Sequence, residues 1–536
     1  MIVAKSPIFS LIMPVHNCED TIGRAIESIL DQDIEEWELI CVVNGEWKDK
    51  EKTVNIIKKY NDPRIDILYH AEGNKCSASN VGSSHARGKY VSFFLSDYVM
   101  YPGALRKWQK WLDESGADFV YSGYHLMKEG KPIDGFVPSQ EFDPWLLTMG
   151  NYIDGGNPMK REVLEKCKWD PNCKSLNDWD FWLTVVDAGF KGKFYTNPTY
   201  MAEVPKPGGL SYDSHNNWIE RTAYVKKKHG IKDSDICVIS LGAPNHGKKM
   251  AKALGADFMA FPTQKPNKYK AVYLLGFYVG NGDSAIRHMK ALEQFKCKKI
   301  VHWIGTDVLQ IIGASHKVCY SDMKQLIDTI NLFTNLTEFD QTNGELRSIG
   351  IDSKIIPLPI LEKIDVMPLP KKFTVAVYVP NTITSKLIYN LEFTEQIIKA
   401  CPDIDFILFG GGKLDSQPVN CRNIGWVEMP KVMEQSSCLM RITYHDGLPI
   451  APVEFRLAGR DALTTVQMPF MYYAGTGIIS EENFVKRKEG VIAILRDIKH
   501  NQKRDGKAQE LSKARKYYLK LTEPGIYRKR INALIK

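Results

Sequence analysis

From Ile8 to Leu95 the chain alternates short apolar runs with stretches whose apolar residues recur at helical spacing, and few folds accept that pattern. Ile8 to Met13 is an apolar run ended by Pro14; Asn17, a good helix N-cap, follows with Asp20 three positions on. Ile22, Ala25, Ile26, Ile29 and Leu30 then repeat with helical period. Trp37 to Val43 reads as a buried strand, Val54 to Tyr60 as a helix, Ile65 to Tyr69 as a strand, Ser79 to Arg87 as a helix and Tyr90 to Leu95 as a strand. Strands alternating with helices predict an α/β fold, a parallel sheet covered on both faces, with ligands gathered beyond the carboxyl ends of the strands.

The chain has 536 residues, too many for one hydrophobic core, and calls for about three compact units. Apolar residues make up 44% and charged residues 25%, which excludes a mainly disordered chain. The net charge of +8 permits only a weak preference for anionic partners. Much of it falls near the C-terminus, in Lys499, Lys503, Arg504, Lys507, Lys513, Arg515, Lys516, Lys520, Arg528, Lys529 and Arg530. A solvated helix face is the first reading of that run, and a phosphate or membrane-surface patch the second. Eleven cysteines without a C-x-x-C pair suit a reducing compartment. With no signal-peptide pattern and no run of about 18 apolar residues, the expected location is cytoplasmic, with contact at a membrane face as an option.

The informative residues stand at the predicted strand ends: Pro14-Val15-His16-Asn17, Val43-Asn44-Gly45-Glu46 and Leu95-Ser96-Asp97-Tyr98. Together with Cys76 to Gly82, Gly88 to Phe93 and Asn177-Asp178-Trp179-Asp180-Phe181-Trp182, they form an ordered series over about 190 residues. That series resembles glycosyltransferase family 2, whose members have the GT-A fold and invert the configuration of the transferred sugar. The resemblance implies a nucleotide-sugar donor bound near Pro14, His16, Asn17, Asn44, Ser96 and Asp97. It also implies a divalent cation, Mn²⁺ or Mg²⁺, on Asp97, which matches the last Asp of the family's D-x-D motif. Such a cation takes up charge developing on a departing diphosphate. Asp178 matches the family's base, a carboxylate that removes the acceptor hydroxyl proton. A helix-start carboxylate stabilised by the helix dipole is the plainer alternative for Asp178, as an exposed turn residue is for Asp97. The chain departs from the family at Val43 and Asn44, where paired aspartates are usual, at Leu95, the first position of D-x-D, and at Ser79, where Arg is usual. Asn44 keeps hydrogen-bonding capacity without a charge, whereas Leu95 has no oxygen to offer a cation.

The alternation restarts at Ile236 to Leu241 and continues through Gly242, Gly247 and a helix near Lys248 to Leu254. Strands are expected at Ala271 to Leu275 and Lys299 to Trp303, with His302 and Asp307 towards a cleft, and Pro368 to Pro370 reads as a hinge. Beyond it come a strand at Phe373 to Val379, a helix at Leu391 to Ala400 and a strand at Phe406 to Phe409 leading to Gly410-Gly411-Gly412. Next are Asn423 to Val427, a helix at Met429 to Gln435, a strand at Cys438 to Thr443, then His445-Asp446-Gly447-Leu448-Pro449 and Val453-Glu454. This order is similar to retaining GT-B glycosyltransferases of family 4. It implies Glu454 as a catalytic carboxylate and donor contacts at Gly411, Gly412, Arg441, His445, Asp446, Gly447 and Leu448, with no metal. Lys386 is the candidate phosphate-neutralising side chain. The expected domains are therefore 1–228, a GT-A unit; 233–368, the first Rossmann-like half of a GT-B unit; and 369–536, its donor-binding half with closing helices. The implied activity is a bifunctional glycosyltransferase acting on a glycan or lipid-linked glycan. One active unit beside a binding module is an alternative, and sugar transfer to nucleic-acid bases, suggested only by the basic balance, is another.

Overall fold

The computed structural model describes residues 6–46, 50–205, 217–240, 244–259, 269–277, 292, 295–315, 320–381, 388–475, 480 and 482–535. Gly242 and Lys386 lie outside the described residues. The chain divides into two compact units, Met1–Asp233 and Ser234–Lys536.

In the first unit, Phe9–Val15 pairs in parallel with Trp37–Asn44 on one side and Tyr90–Ser92 on the other. Both long strands are buried along their whole length, as expected of a sheet covered on both faces. Side chains alternate, so Leu11, Met13 and Val15 join Leu39, Cys41 and Val43 in one core with Ile22, Ile26 and Ile29. Ile12, Ile40 and Val42 enter the opposite core with Trp169, Trp179 and Phe181. Each fully buried isoleucine contributes roughly 1.5–3 kcal/mol. The sheet has seven strands in the order Gly192–Phe194, Phe119–Tyr121, Met159–Lys160, Tyr90–Ser92, Phe9–Val15, Trp37–Asn44, Ile65–His70. Met159–Lys160 runs antiparallel to both its neighbours. A four-stranded sheet of Tyr98–Met100, Tyr200–Glu203, Tyr124–Lys128 and Lys131–Val137 forms a second layer.

Several expected boundaries move: the helix expected over Val54 to Tyr60 runs Glu51–Lys58, and the first helix, Ile22–Leu30, has Thr21 and not Asn17 at its N-cap position. The strand starting at Tyr90 stops at Ser92, and the helix expected from Ser79 begins at Lys75, because the Asn74 side chain accepts from the backbone amides of Cys76 and Ser77. At the unit's end, helix Trp218–Lys228 is tied to helix Asn177–Asp187 by fully buried Asp180, which meets Lys228 at 2.8 Å and His229 at 3.0 Å.

The second unit contains two six-stranded parallel sheets. One has the order Asp257–Met259, Ile236–Ile239, Ala271–Leu275, Lys298–Trp303, Thr334–Thr337, Lys354–Ile355. The other runs Cys421–Asn423, Asp405–Phe409, Thr374–Tyr378, Cys438–Arg441, Asp461–Thr464, Tyr472–Tyr473. The proline-containing connection between them is pinned: fully buried Arg460 donates to the carbonyls of Met367 and Pro368, both at 2.7 Å, and to Met433 at 3.2 Å. The last helix, Pro524–Ile535, returns to the first of these sheets, where the Tyr527 hydroxyl meets the Tyr273 hydroxyl and His302 Nδ1, and Arg528 donates to Ala253 O at 2.7 Å.

Five of the eleven basic residues of the C-terminal run, Arg528 among them, have partners within the unit. Lys507 pairs with Asp461 at 2.8 Å, Arg504 with Glu510 at 2.7 Å and Lys499 with Asp403 at 3.0 Å, while Arg515 caps the carbonyls of Leu457 and Ile364. The described cysteines are free thiols, and among the described residues no helix is long and apolar enough to cross a membrane.

Candidate active site

Strands Phe9–Val15, Trp37–Asn44 and Tyr90–Ser92 carry polar residues at or beyond their carboxyl ends. Pro14 is buried at the end of its strand, and His16 and Asn17 stand exposed just beyond it, Asn17 in the left-handed region at φ 46°. The His16 ring approaches Asn44 O at 3.0 Å, and the Asn44 amide donates to Val15 O at 3.1 Å. Asn44 is only 3% exposed, so its amide laces two strand ends together. One of its two amide N–H groups is committed to that bond.

Asp97 and Ser96 follow the strand at Tyr90–Ser92 and are half-buried. Burial raises the Asp97 carboxyl above its ordinary value; Lys75 opposes that rise, while Glu203 and Asp178 add to it. Asp178 thus adds to the field at Asp97 from a helix further along the chain. Asp178 occupies the first turn of helix Asn177–Asp187, where the helix dipole favours a carboxylate. Lys75 Nζ lies 3.2 Å from its Oδ1. Glu203, nearly buried, pairs with Arg24 at 3.1 Å and accepts from the amides of Glu129 and Gly130.

Sequence reasoning missed Lys75 and Asp154. Asp154 accepts from the hydroxyls of Tyr98 at 2.9 Å and Tyr200 at 2.7 Å and from the Gly156 amide at 2.9 Å. Burial, then the charge of Asp178, pushes its carboxyl up to about 6 against the hydrogen bonds that stabilise the anion. The one available signal was its place directly before Gly155-Gly156. Gly155 matters sterically, since a Cβ there would lie 2.9 Å from Asp178 Oδ1.

The cluster offers carboxylates at Asp97 and Asp178 for hard-cation or proton chemistry and one ammonium at Lys75. Among the described residues there is no group of three His, Cys, Asp or Glu side chains that could hold a metal ion. Leu95 contributes no oxygen, yet one carboxylate completed by substrate phosphate oxygens suits Mg²⁺-type binding, so Asp97 fits such a role.

In the second unit, Asp446 forms a 2.5 Å ion pair with Arg441, whose guanidinium also approaches the Tyr389 hydroxyl at 3.3 Å. Burial lowers the Arg441 value, but Asp446 and Tyr389 raise it above the ordinary one. His445 meets Glu345 at 2.6 Å, and the Leu448 amide donates to fully buried Glu338 at 2.9 Å. Gly447 and Gly305 let two backbones touch: a Cβ on Gly305 would be 2.6 Å from Gly447 N, and one on Gly447 would be 2.5 Å from Glu338 Oε2. Glu338 and Glu345 were not anticipated; each needed knowledge of which strand end faces the loop. Gly412 spends its amide on Val379 O at 3.0 Å, while Gly411 is exposed. Glu454 is half-buried in helix Ile450–Leu457, and burial, with Glu362, pushes its carboxyl up to about 7 against the pull of Lys249. His302 and Asp307 are fully buried; Asp307 accepts from the amides of Phe277, Ile304 and Val308, a loop-tying role rather than one in an open cleft.

A mainly parallel sheet whose carboxyl edge gathers Asp97, Asp154, Asp178 and Lys75 defines, with the sequence relatives, a glycosyltransferase. Residues 10–166 match the family described as Glycosyl transferase family 2. The chain belongs to glycosyl transferase family 2 through this N-terminal region. It is 30% identical over 190 residues to TuaG of Bacillus subtilis (strain 168), named as a teichuronic acid biosynthesis glycosyltransferase, a match covering 34% of this chain and 74% of the relative. It is 28% identical over 198 residues to the glycosyltransferase EpsE of the same organism, covering 35% of this chain and 70% of EpsE. Among solved structures, S. aureus TarS 1-349 in complex with UDP-GlcNAc aligns with TM-score 0.35 and 18% identity over 41% of this chain and 66% of that one. Anabaena Alr3699/HepE in complex with UDP and glucose aligns with TM-score 0.42 and 10% identity over 56% of this chain and 99% of that one.

Proposed function

We propose that the first unit is a GT-A domain that transfers a sugar from a nucleotide diphosphate donor with inversion, using Asp178 as the base that takes the acceptor hydroxyl proton. The observation that carries this reading is geometric: Asp178 stands in the first turn of helix Asn177–Asp187 with Lys75 Nζ 3.2 Å from its Oδ1. A divalent cation held by Asp97 would neutralise the departing diphosphate. His16, Asn17 and Ser96 border the same edge, where a donor's nucleoside and phosphates would lie. Asp178 receives a proton as the acceptor oxygen forms its bond to the anomeric carbon and the sugar–phosphate bond breaks.

The second unit we read as a GT-B module of two Rossmann-like halves, residues 233–368 and 369–536, making the chain bifunctional. Its two parallel sheets and returning C-terminal helix support that architecture. Glu454 is its candidate catalytic carboxylate. The acceptor is a growing glycan or lipid-linked glycan, favoured by a relative named for teichuronic acid biosynthesis.

One observation favours a second reading, in which this module binds without catalysing: the pairing of Arg441 with Asp446 and of His445 with Glu345 occupies polar groups assigned to the donor. A panel of nucleotide sugars, with and without Mn²⁺, tests the function, with transfer or hydrolysis of at least one donor expected. Inertness to all of them would contradict it. Two distinct transfers, one lost in Asp178→Asn and the other in Glu454→Gln, would establish bifunctionality, and a single transfer lost only in Asp178→Asn would favour the binding module.

A further inference from the structure

Lys75 opens helix Lys75–His85, and its place is fixed from several sides. Asn74 caps the helix while its amide donates to Pro171 O at 2.9 Å. The Lys75 ammonium stands 5.4 Å from the centroid of the buried Trp169 ring, and that ring stacks at 4.4 Å on Phe181, one turn along the helix that carries Asp178. Trp169 thus holds the cation and the carboxylate-bearing helix in register. Burial works to discharge Lys75, but the charge of Asp178 and the hydrogen bond to it, with Asp154 beyond, overcome that penalty and keep the ammonium protonated.

Gly155 lies against the same carboxylate, where a Cβ would stand 2.9 Å from Oδ1 and 3.3 Å from Oδ2. Lys75 engages Oδ1 at 3.2 Å, and no described residue is seen to hydrogen-bond Oδ2.

We propose that Lys75 is the positioning residue for Asp178, fixing Oδ1 so that Oδ2 is presented to the acceptor hydroxyl. The inference rests on the reading of Asp178 as the base. Lys75 acts through that carboxylate and not by gripping the donor, because the ammonium is committed to Oδ1 and backed by Trp169. A carboxylate with a free torsion would spend much of its time misaligned, and misplacement of about 1 Å costs on the order of a hundredfold in rate.

The test is steady-state kinetics with the donor that turns over in the nucleotide-sugar panel, on full-length Lys75→Met, Lys75→Gln, Lys75→Arg, Asp178→Asn and the Lys75→Met/Asp178→Asn double variant, each checked for folding by thermal unfolding. Lys75→Met, or Lys75→Gln should the first not fold, is expected to lower kcat about tenfold to a hundredfold with donor KM within about twofold. Lys75→Arg should recover most of the loss, and in the Asp178→Asn background removal of Lys75 should change nothing further. A raised donor KM with kcat unchanged would overturn the proposal, as would equal losses in both backgrounds. Full activity of Lys75→Met with an inactive Asp178→Asn sinks the Lys75 role alone. Full activity of Asp178→Asn sinks the base reading first.

Discussion

Replacing Gly155 by alanine should slow the first unit's transfer roughly tenfold, with a cost in stability too small to unfold it. The added Cβ would stand 2.9 Å from Asp178 Oδ1, 3.1 Å from Cγ and 3.3 Å from Oδ2. An ordinary contact begins near 3.4 Å, so the carboxylate must retreat by 3.4 − 2.9 = 0.5 Å. Oδ1 is also the oxygen that Lys75 meets at 3.2 Å, so the shift falls on that pair. Since misplacement by about 1 Å costs on the order of a hundredfold, half that distance predicts roughly a tenfold fall in kcat, about 1.4 kcal/mol of transition-state stabilisation. The stability cost is that of mild overpacking, about 1–3 kcal/mol. Initial-rate kinetics beside a thermal melt separates the two effects. A folded Gly155→Ala enzyme with wild-type kcat would refute the claim that the Asp178 position matters to the chemistry.

Other outcomes follow from individual side chains. Arg460→Ala strips three carbonyls of their buried donor and should destabilise the second unit by about 3 kcal/mol or more, read as a lowered unfolding midpoint. Asp154, pushed up to about 6 from an ordinary 3.8, binds its proton more tightly folded than unfolded. Its contribution to stability is therefore complete below pH 3.8 and lost as pH rises through about 6. The stability of wild type relative to Asp154→Asn should fall across that window by up to about 3 kcal/mol in denaturant titrations; a flat difference would refute it. Glu454 titrates near 7, so any transfer that needs it ionised should switch on as pH rises through 7, and Glu454→Gln should remove that limb of the profile.

The sheet cores were legible because parallel strands covered on both faces are written as continuous apolar runs, as at Phe9–Val15 and Trp37–Asn44. Boundaries set by side-chain caps were less so: Asn74 starts a helix that apolar spacing alone places at Ser79. At the site, Asp97 and Asp178 could be picked out because each sits in a local pattern with neighbours of known kind. Lys75 and Asp154 carry no such pattern. Lys75 meets Asp178 across 103 residues of chain, and only the folded sheet edge brings them together. Asn44 adds a contact the sequence did not show: one of its amide N–H groups donates to Val15 O, a bond set by strand register that composition does not reveal.

The account stands most directly on Asp178. Turnover of the preferred nucleotide sugar by folded Asp178→Asn, followed by product formation with a saturating acceptor, should fall by about a hundredfold to ten-thousandfold, the usual worth of a positioned base, with donor affinity retained. Transfer at the wild-type rate by that variant would contradict the account.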